Sequence, residues 1–250
     1  MNGETVGALN RITRRFYDDS ALGFAVTHQA PQPGWERVLN TLAIRDAPEL
    51  SVLDIGCGNG RLARFIQHHA RRPFRYLGVD ASPALVNVAR AETAGVAGAT
   101  CTVLDFVEHP LETLIQDRTF TLIVAFGVLH HIPGHRRRRA FLEQLCCRVA
   151  PGGALACSIW RAQCPEQAGQ EALSWEEYNR GAREPVELAQ LERGDNLVAR
   201  RGSVARYCHF VDDAETARLF DGLPLAPLET FTADGRTGTS NSYVLLRRSA

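Results

Sequence analysis

Short apolar runs alternate with amphipathic stretches through the middle of the chain, and this rhythm predicts a fold before any motif is considered. "SVLDI", "RYLGVD", "TCTVLD", "FTLIVAFGV" and "ALACSIW" read as strands, with "FTLIVAFGV" suited to burial on both faces. Between them, "GRLARFIQHHA" sets Leu62, Phe65 and Ile66 on one side of a helix, and "ALVNVARAE" carries a second apolar stripe behind the capping Ser82 and the first-turn Pro83. "RRAFLEQLCCRVA" reads as a helix stopped by "PGG". Strands alternating with helices predict a mostly parallel α/β sheet with right-handed crossovers and helices on both faces. After Trp160 the rhythm breaks: residues 161 to 206 carry Trp175, Tyr178, many charges and no clear strand, and read as a cap inserted over the carboxyl edge of the sheet. "DDAETARLFDGL" restores a helix, and "PLETFTADG" with "NSYVLLRR" forms a closing hairpin. With a helical flank over residues 1 to 49 and no internal repeats, the chain is expected to be a single domain.

Composition narrows this picture. A chain of 250 residues with 45% hydrophobic residues can bury a full core. No run approaches the roughly 20 apolar residues that span a bilayer. The N-terminus lacks a secretory apolar stretch, so a cytoplasmic protein without membrane partners is expected. Cys57, Cys101, Cys146, Cys147, Cys157, Cys164 and Cys208 include no CxxC pair, which argues against a disulfide framework or a tetrahedral zinc site. All 28 basic residues are arginine and the net charge is zero. Arg136 to Arg139 can contact a polyanion, but balanced charge gives no basic footprint, and a solvated helix face is the expectation. His68 and His69 are assigned to an exposed helix side. Trp175 and Tyr178 either pack the cap or stack on a base.

The chemistry gathers at "DIGCGNG". Gly56, Gly58 and Gly60 give GxGxG, with Arg61 where a dinucleotide fingerprint needs its third glycine. Asp54 precedes the loop, where it would repel a pyrophosphate and favour a cationic ligand. S-adenosylmethionine, with a sulfonium and an ammonium against one carboxylate, suits that position. Glycines let the backbone approach it closely, with Cys57 as a small loop residue. Asp80, ending "YLGVD", can accept from both ribose hydroxyls, and Asp105 can accept from an adenine amino group while Phe106 packs beside the ring. Three acids in register around a glycine loop describe an adenosine pocket without a phosphate.

"VLDIGCGNG", "LGVDAS", "VLDF", "FTLIVAFGVLHHI" and "VAPGGALACSIW" resemble, in order and spacing, the blocks of class I S-adenosylmethionine-dependent methyltransferases. The resemblance covers about residues 50 to 160 and the closing hairpin. It implies a Rossmann-like seven-stranded sheet whose last strand is antiparallel. The cofactor is implied to lie across the first, second and fourth strands, touching Asp54, Gly56, Cys57, Gly58, Gly60, Asp80, Ala81, Asp105, Phe106 and Phe126, and to leave as S-adenosylhomocysteine.

The flanks "LNRITRRFYDDSALGF" and "LERGDNLVARRGSVARYCHFVDDAE", with "LHHI" between them, resemble the wobble-uridine tRNA methyltransferases that esterify a carboxymethyl group, and their bacterial relatives. That resemblance implies tRNA as substrate. It implies an acceptor site of His131, with His130 the alternative, and Arg206, Tyr207 and His209; eukaryotic members bring a small zinc-binding partner subunit. The chain departs from the pattern at His28, where arginine is expected, and at Cys208, where tyrosine is expected. A small-molecule O- or N-methyltransferase, in which His130 or His131 relays a proton, and a non-catalytic binder of an adenosine ligand stay open as alternatives.

Overall fold

In a computed structural model, residues 1–42, 50–70, 73–161, 170–199 and 204–249 are described. The chain enters through a long helix α1 (Gly3–Thr27) and a short helix α2 (Pro33–Thr41). Strand β1 (Leu50–Ile55) then leads through the glycine loop into α3 (Arg61–His69), β2 (Phe74–Asp80), α4 (Pro83–Glu92) and β3 (Ala99–Val103). The one-turn helix α5 (Glu112–Ile115), β4 (Phe120–Phe126), α6 (His135–Cys147) and β5 (Val149–Trp160) complete the alternation. The expected start of α4 is present: Ser82 Oγ accepts from the Leu85 N–H at 3.2 Å, with Pro83 in the first turn. The proline-glycine pair has a different job from the one expected. Helix α6 already ends at Cys147, and Pro151 to Gly153 form a bulge inside β5, where the register with β4 jumps from Phe120↔Val149 to Leu122↔Ala154.

Beyond β5 the chain forms β6 (Glu171–Leu173), α7 (Trp175–Gly181), β7 (Asp195–Ala199), β8 (Arg206–His209) and α8 (Asp213–Phe220), then closes with the hairpin β9 (Ala226–Ala233) and β10 (Asn241–Arg247). The main sheet has the order β3-β2-β1-β4-β5-β10-β9. Neighbours from β3 to β5 are parallel, and β10 is antiparallel to both β5 and β9. Strand alternation divides the core between two faces. Leu53 and Ile55 pack with Phe141 and Leu145 on one side, while Val52 packs with Trp35, Leu62 and Ile66 on the other. The order reverses at β1, between β2 and β4, so the carboxyl ends of these three strands open a crevice.

Three strands lie where no clear strand was expected: β6, β7 and β8 form a small antiparallel sheet. They are short and interrupted by charges, which hides their alternation in the sequence. Their register pairs Ala172 with Val198 and Val198 with Arg206. Arg206 and Cys208 therefore share one face, and Tyr207 and His209 the other. On that other face Leu197 and Tyr207 pack against Ala8, Leu9 and Ile12 of α1, with Trp175 and Tyr178 alongside.

A buried ionic network fastens this unit to the main sheet. Arg136 and Arg137 are exposed as expected of a solvated face, but the helical period turns Arg138 inward, where its side chain is fully buried. Its guanidinium donates to Glu215 Oε1 at 2.8 Å, to Glu192 Oε2 at 2.5 Å and to the Ile132 carbonyl at 2.9 Å. His209 joins the same cluster, 2.7 Å from Asp195 Oδ1 and 2.8 Å from Glu215 Oε2. Removing one partner of a buried pair strands the other charge. Arg138→Met is expected to destabilise the fold by about 3–5 kcal/mol, read as a lower urea midpoint, whereas Arg137→Met leaves the midpoint nearly unchanged.

Candidate active site

The crevice is a cavity of about 500 Å³. One end is built by the glycine loop. Gly56, Gly58 and Gly60 all have positive φ, at 72°, 54° and 72°, and a Cβ on Gly56 would lie 2.6 Å from Val128 Cγ2. The loop turns its amides toward β2: the N–H groups of Gly56 and Cys57 donate to the Val79 carbonyl at 2.7 and 3.0 Å. The next amide, Gly58 N–H, donates to Asp80 Oδ2 at 2.9 Å, and Ser82 N–H donates to Oδ1 at 3.0 Å. Asp54 is 4% exposed and accepts from the Tyr76 hydroxyl at 2.5 Å. Burial pushes its carboxyl up to about 7 against that hydrogen bond. Burial also raises Asp80, although the amides of Ser82, Gly58 and Ala81 oppose it. Among the described residues neither acid has a cation within ion-pair distance. Trp35, Phe126 and Tyr243 supply aromatic wall, Trp35 stacking on Phe126 at 5.9 Å between centroids.

The other end is built by a short 3₁₀ turn, α1 and β8. Arg206 Nη1 donates to the Tyr17 hydroxyl at 2.8 Å, and that hydroxyl lies 2.8 Å from His131 Nε2. His131 Nδ1 is 3.2 Å from the Tyr207 carbonyl, which can only accept. The proton therefore sits on Nδ1, and Nε2 accepts from Tyr17. Burial, reinforced by Arg206, lowers His131 to about 3, and burial likewise lowers His130. His130 is 2% exposed, stacks on Trp160 at 4.1 Å, and its Nδ1 has no hydrogen-bond partner. The Arg206 guanidinium lies 5.0 Å from the Phe16 ring, 5.1 Å from Trp160 and 5.9 Å from Tyr17. It is 8% exposed, and no carboxylate pairs with it among the described residues.

Of the residues singled out in the sequence, Asp54, Gly56, Cys57, Gly58, Asp80, Ala81, Phe106, Phe126, His130, His131 and Arg206 line this cavity. Gly60 does not; it packs toward α4, where a Cβ would meet Thr93 Cγ2 at 2.7 Å. Asp105 is turned away from an adenine role. Its Oδ2 accepts from Asn10 Nδ2 at 2.7 Å and Arg14 Nη1 at 3.2 Å, and its Oδ1 accepts from the Val107 and Glu108 amides at 3.1 and 3.3 Å. Tyr207 and His209 face away from the cavity, as strand alternation dictates: Tyr207 donates its hydroxyl to Asp195 Oδ1 at 2.7 Å, and His209 joins the Arg138 network. His28 ends α1, stacked on Phe24 at 4.0 Å, and its carbonyl accepts from Asn59 of the glycine loop. His131 has both nitrogens engaged, so His130 is the histidine with a nitrogen open to an acceptor. Sequence reasoning missed Tyr17, whose position on α1 shows no motif, and Gln170.

The matching family model is that of a methyltransferase domain, over residues 53–155. The main sheet is that of the class I S-adenosylmethionine-dependent methyltransferases, with the last strand antiparallel as expected. The chain is 28% identical over 160 residues to the mouse probable tRNA methyltransferase 9B, covering 64% of this chain and 32% of that protein. It is also 28% identical over 162 residues to a Xenopus tropicalis tRNA (carboxymethyluridine(34)-5-O)-methyltransferase, covering 62% and 23%. The chain thus spans a third or less of these relatives' length. The structure of magnesium protoporphyrin IX methyltransferase from Synechocystis PCC 6803 with bound S-adenosylhomocysteine superposes with a TM-score of 0.63 at 14% identity, covering 96% of this chain and 99% of that one. Among the described residues no helix is long and apolar enough to cross a membrane.

The two acids, Asp54 buried and Asp80 half-buried, fit a cationic ligand, and Asp54 sets a pH signature. Its raised pKa means that the folded, ligand-free protein holds an extra proton between about pH 4 and pH 7, so this carboxyl's contribution to stability falls as pH rises through that window. A bound ammonium favours the ionised form and expels the proton. S-adenosylhomocysteine affinity is therefore expected to rise between pH 6 and pH 8 with proton release measurable by calorimetry in buffers of different ionisation enthalpy. In Asp54→Asn the affinity is weaker and the slope flat.

Proposed function

We propose that this protein transfers the methyl group of S-adenosylmethionine to a carboxylate, the acceptor being the carboxymethyl group of a modified wobble uridine in tRNA. The observation that carries the reading is Arg206: a buried guanidinium facing the cavity, surrounded by aromatic rings and, among the described residues, lacking a carboxylate partner. A buried cation of this kind favours an anionic occupant. The resemblance to a carboxymethyluridine methyltransferase agrees with that chemistry.

S-adenosylmethionine, when bound, supplies an electrophilic methyl on a sulfonium. Gly56, Gly58, Asp54 and Asp80 hold the cofactor end, with Phe106 and Phe126 as apolar walls. Arg206 binds and orients the acceptor carboxylate. That acceptor is already ionised and needs no base, which agrees with a His131 held neutral and hydrogen-bonded on both nitrogens. Tyr17 keeps Arg206 and His131 in place between the two ends. The aromatic side chains exclude water, so the protein's contribution is alignment and desolvation.

A second reading, a small-molecule carboxylic acid as acceptor, is favoured by the way Phe16, Tyr17 and Phe24 of α1 line the cavity. Purified protein, S-adenosylmethionine and an anticodon-loop RNA carrying 5-carboxymethyluridine distinguish them. Methyl incorporation that mild base releases as methanol is expected, as for an ester, and Arg206→Leu is expected to lower kcat/KM by about 30- to 100-fold with S-adenosylhomocysteine affinity unchanged. Transfer to free carboxylic acids but not to RNA would favour the second reading, and base-stable methylation would overturn the carboxylate acceptor.

A further inference from the structure

The acceptor end of the cavity holds a polar group that neither the cofactor nor the carboxylate accounts for. Gln170 immediately precedes β6, is 6% exposed, and its Oε1 has no hydrogen-bond partner among the described residues. Buried side-chain amides are normally paired, because an unpaired one carries a desolvation cost. The register of the small sheet shows where this one belongs. Ala172 pairs with Val198 and Val198 with Arg206, so the three share one face, and Gln170, two residues before Ala172, shares it too. Gln170 and Arg206 both line the cavity. They sit on lines two strand spacings apart, about 10 Å. Trp160 and His130 line the same end, and His130 Nδ1 is also unpaired.

We infer that Gln170 selects the acceptor by its ring edge, its carboxamide pairing with the adjacent C=O and N–H of a uracil-type imide while Arg206 holds the acid arm. The inference rests on the carboxymethyluridine reading and adds the residue that distinguishes this ring from other acids. A carboxamide has one acceptor oxygen and one NH₂ donor side by side, and an imide edge presents the complementary pair. The match holds whichever way the amide is turned. A simple carboxylic acid engages Arg206 alone. A site built to hydrogen-bond a group discriminates against an analogue that lacks it, because its own buried polar atoms then stay unpaired.

The test compares two anticodon-loop RNAs, one with 5-carboxymethyluridine and one with the same nucleoside methylated at N3, which removes the imide N–H. For the unaltered protein the N3-methylated RNA is expected to lose about tenfold in kcat/KM, mostly through KM. Gln170→Met keeps the side-chain length without the amide. It is expected to reduce activity on the first RNA to about the level of the second and to erase the difference between them, while Gln170→Asn restores part of it. S-adenosylhomocysteine titration of each variant verifies that the cofactor end is intact. Equal discrimination by Gln170→Met and the unaltered protein would overturn the assignment of Gln170 and leave the carboxymethyluridine reading standing. No transfer to either RNA by the unaltered protein would overturn that reading, and this inference with it.

Discussion

Two carboxylates, Asp54 buried and Asp80 half-buried, with no cation within ion-pair distance among the described residues, set the terms for the rest of this structure. Asp54 lies one residue before the end of β1, opposite Gly78, and Asp80 ends the neighbouring β2, and taking an ion out of water costs several kcal/mol unless something compensates. The protein compensates in part. Glycine-loop and Ser82 amides satisfy Asp80, the Tyr76 hydroxyl satisfies one oxygen of Asp54, and Asp54 is pushed toward its neutral form. What is left is a negative field at one end of the cavity. At the other end Arg206 is buried among aromatic rings, a positive field left open in the same way. The cavity is polarised along its length, and a cationic methyl donor at one end with the proposed anionic acceptor at the other would meet in its middle.

The middle is kept uncharged. Burial holds Tyr17 protonated and both histidines neutral, and Arg206 nearby makes a positive charge on either histidine costlier still. A general base would need a pKa near the working pH, and His131 lies far below it. The arrangement suits a displacement in which the acceptor arrives ionised and the protein supplies geometry. It is ill suited to deprotonating an amine or a phenol. The same neutrality explains why Tyr17 matters although it has no charge: its hydroxyl accepts from Arg206 and donates to His131, joining α1 to β8 and the 3₁₀ turn.

The cofactor end was legible in the sequence because its requirements are local. Three glycines are needed where the backbone takes positive φ, and the acids sit where apolar runs end. The centre of the main sheet was legible for a similar reason, since β1, β2, β4 and the second half of β5 are mostly buried on both faces and read as nearly continuous apolar runs. The acceptor end depends on long-range contacts that leave no local pattern. Asp105 looks like Asp80 in sequence, yet Asn10 and Arg14 of α1 take up one of its oxygens. His130 and His131 are neighbours in one turn, and only the Tyr207 carbonyl and the Tyr17 hydroxyl show which is engaged and which is open. In "RYCH" the two-residue period allows only alternate members to face the site. Arg206 does, Cys208 on the same face is buried against Val198, Phe210 and Trp160, and Tyr207 and His209 belong to the packing against α1 and to the Arg138 network.

The two departures from the wobble-uridine pattern take on a different weight once they are placed. His28 stacks on Phe24 and its carbonyl holds Asn59, so it stands beside the glycine loop rather than against Arg206. It lines the same cavity as Arg206. Cys208 packs with Val198, Phe210 and Trp160, and burial pushes its thiol up to about 12. It is a neutral, small group where a tyrosine would be larger. The exchange leaves more room around Trp160 and His130, on the same face of the small sheet that carries Arg206 and Gln170. The exchange leaves Arg206, the cation on that face, in place.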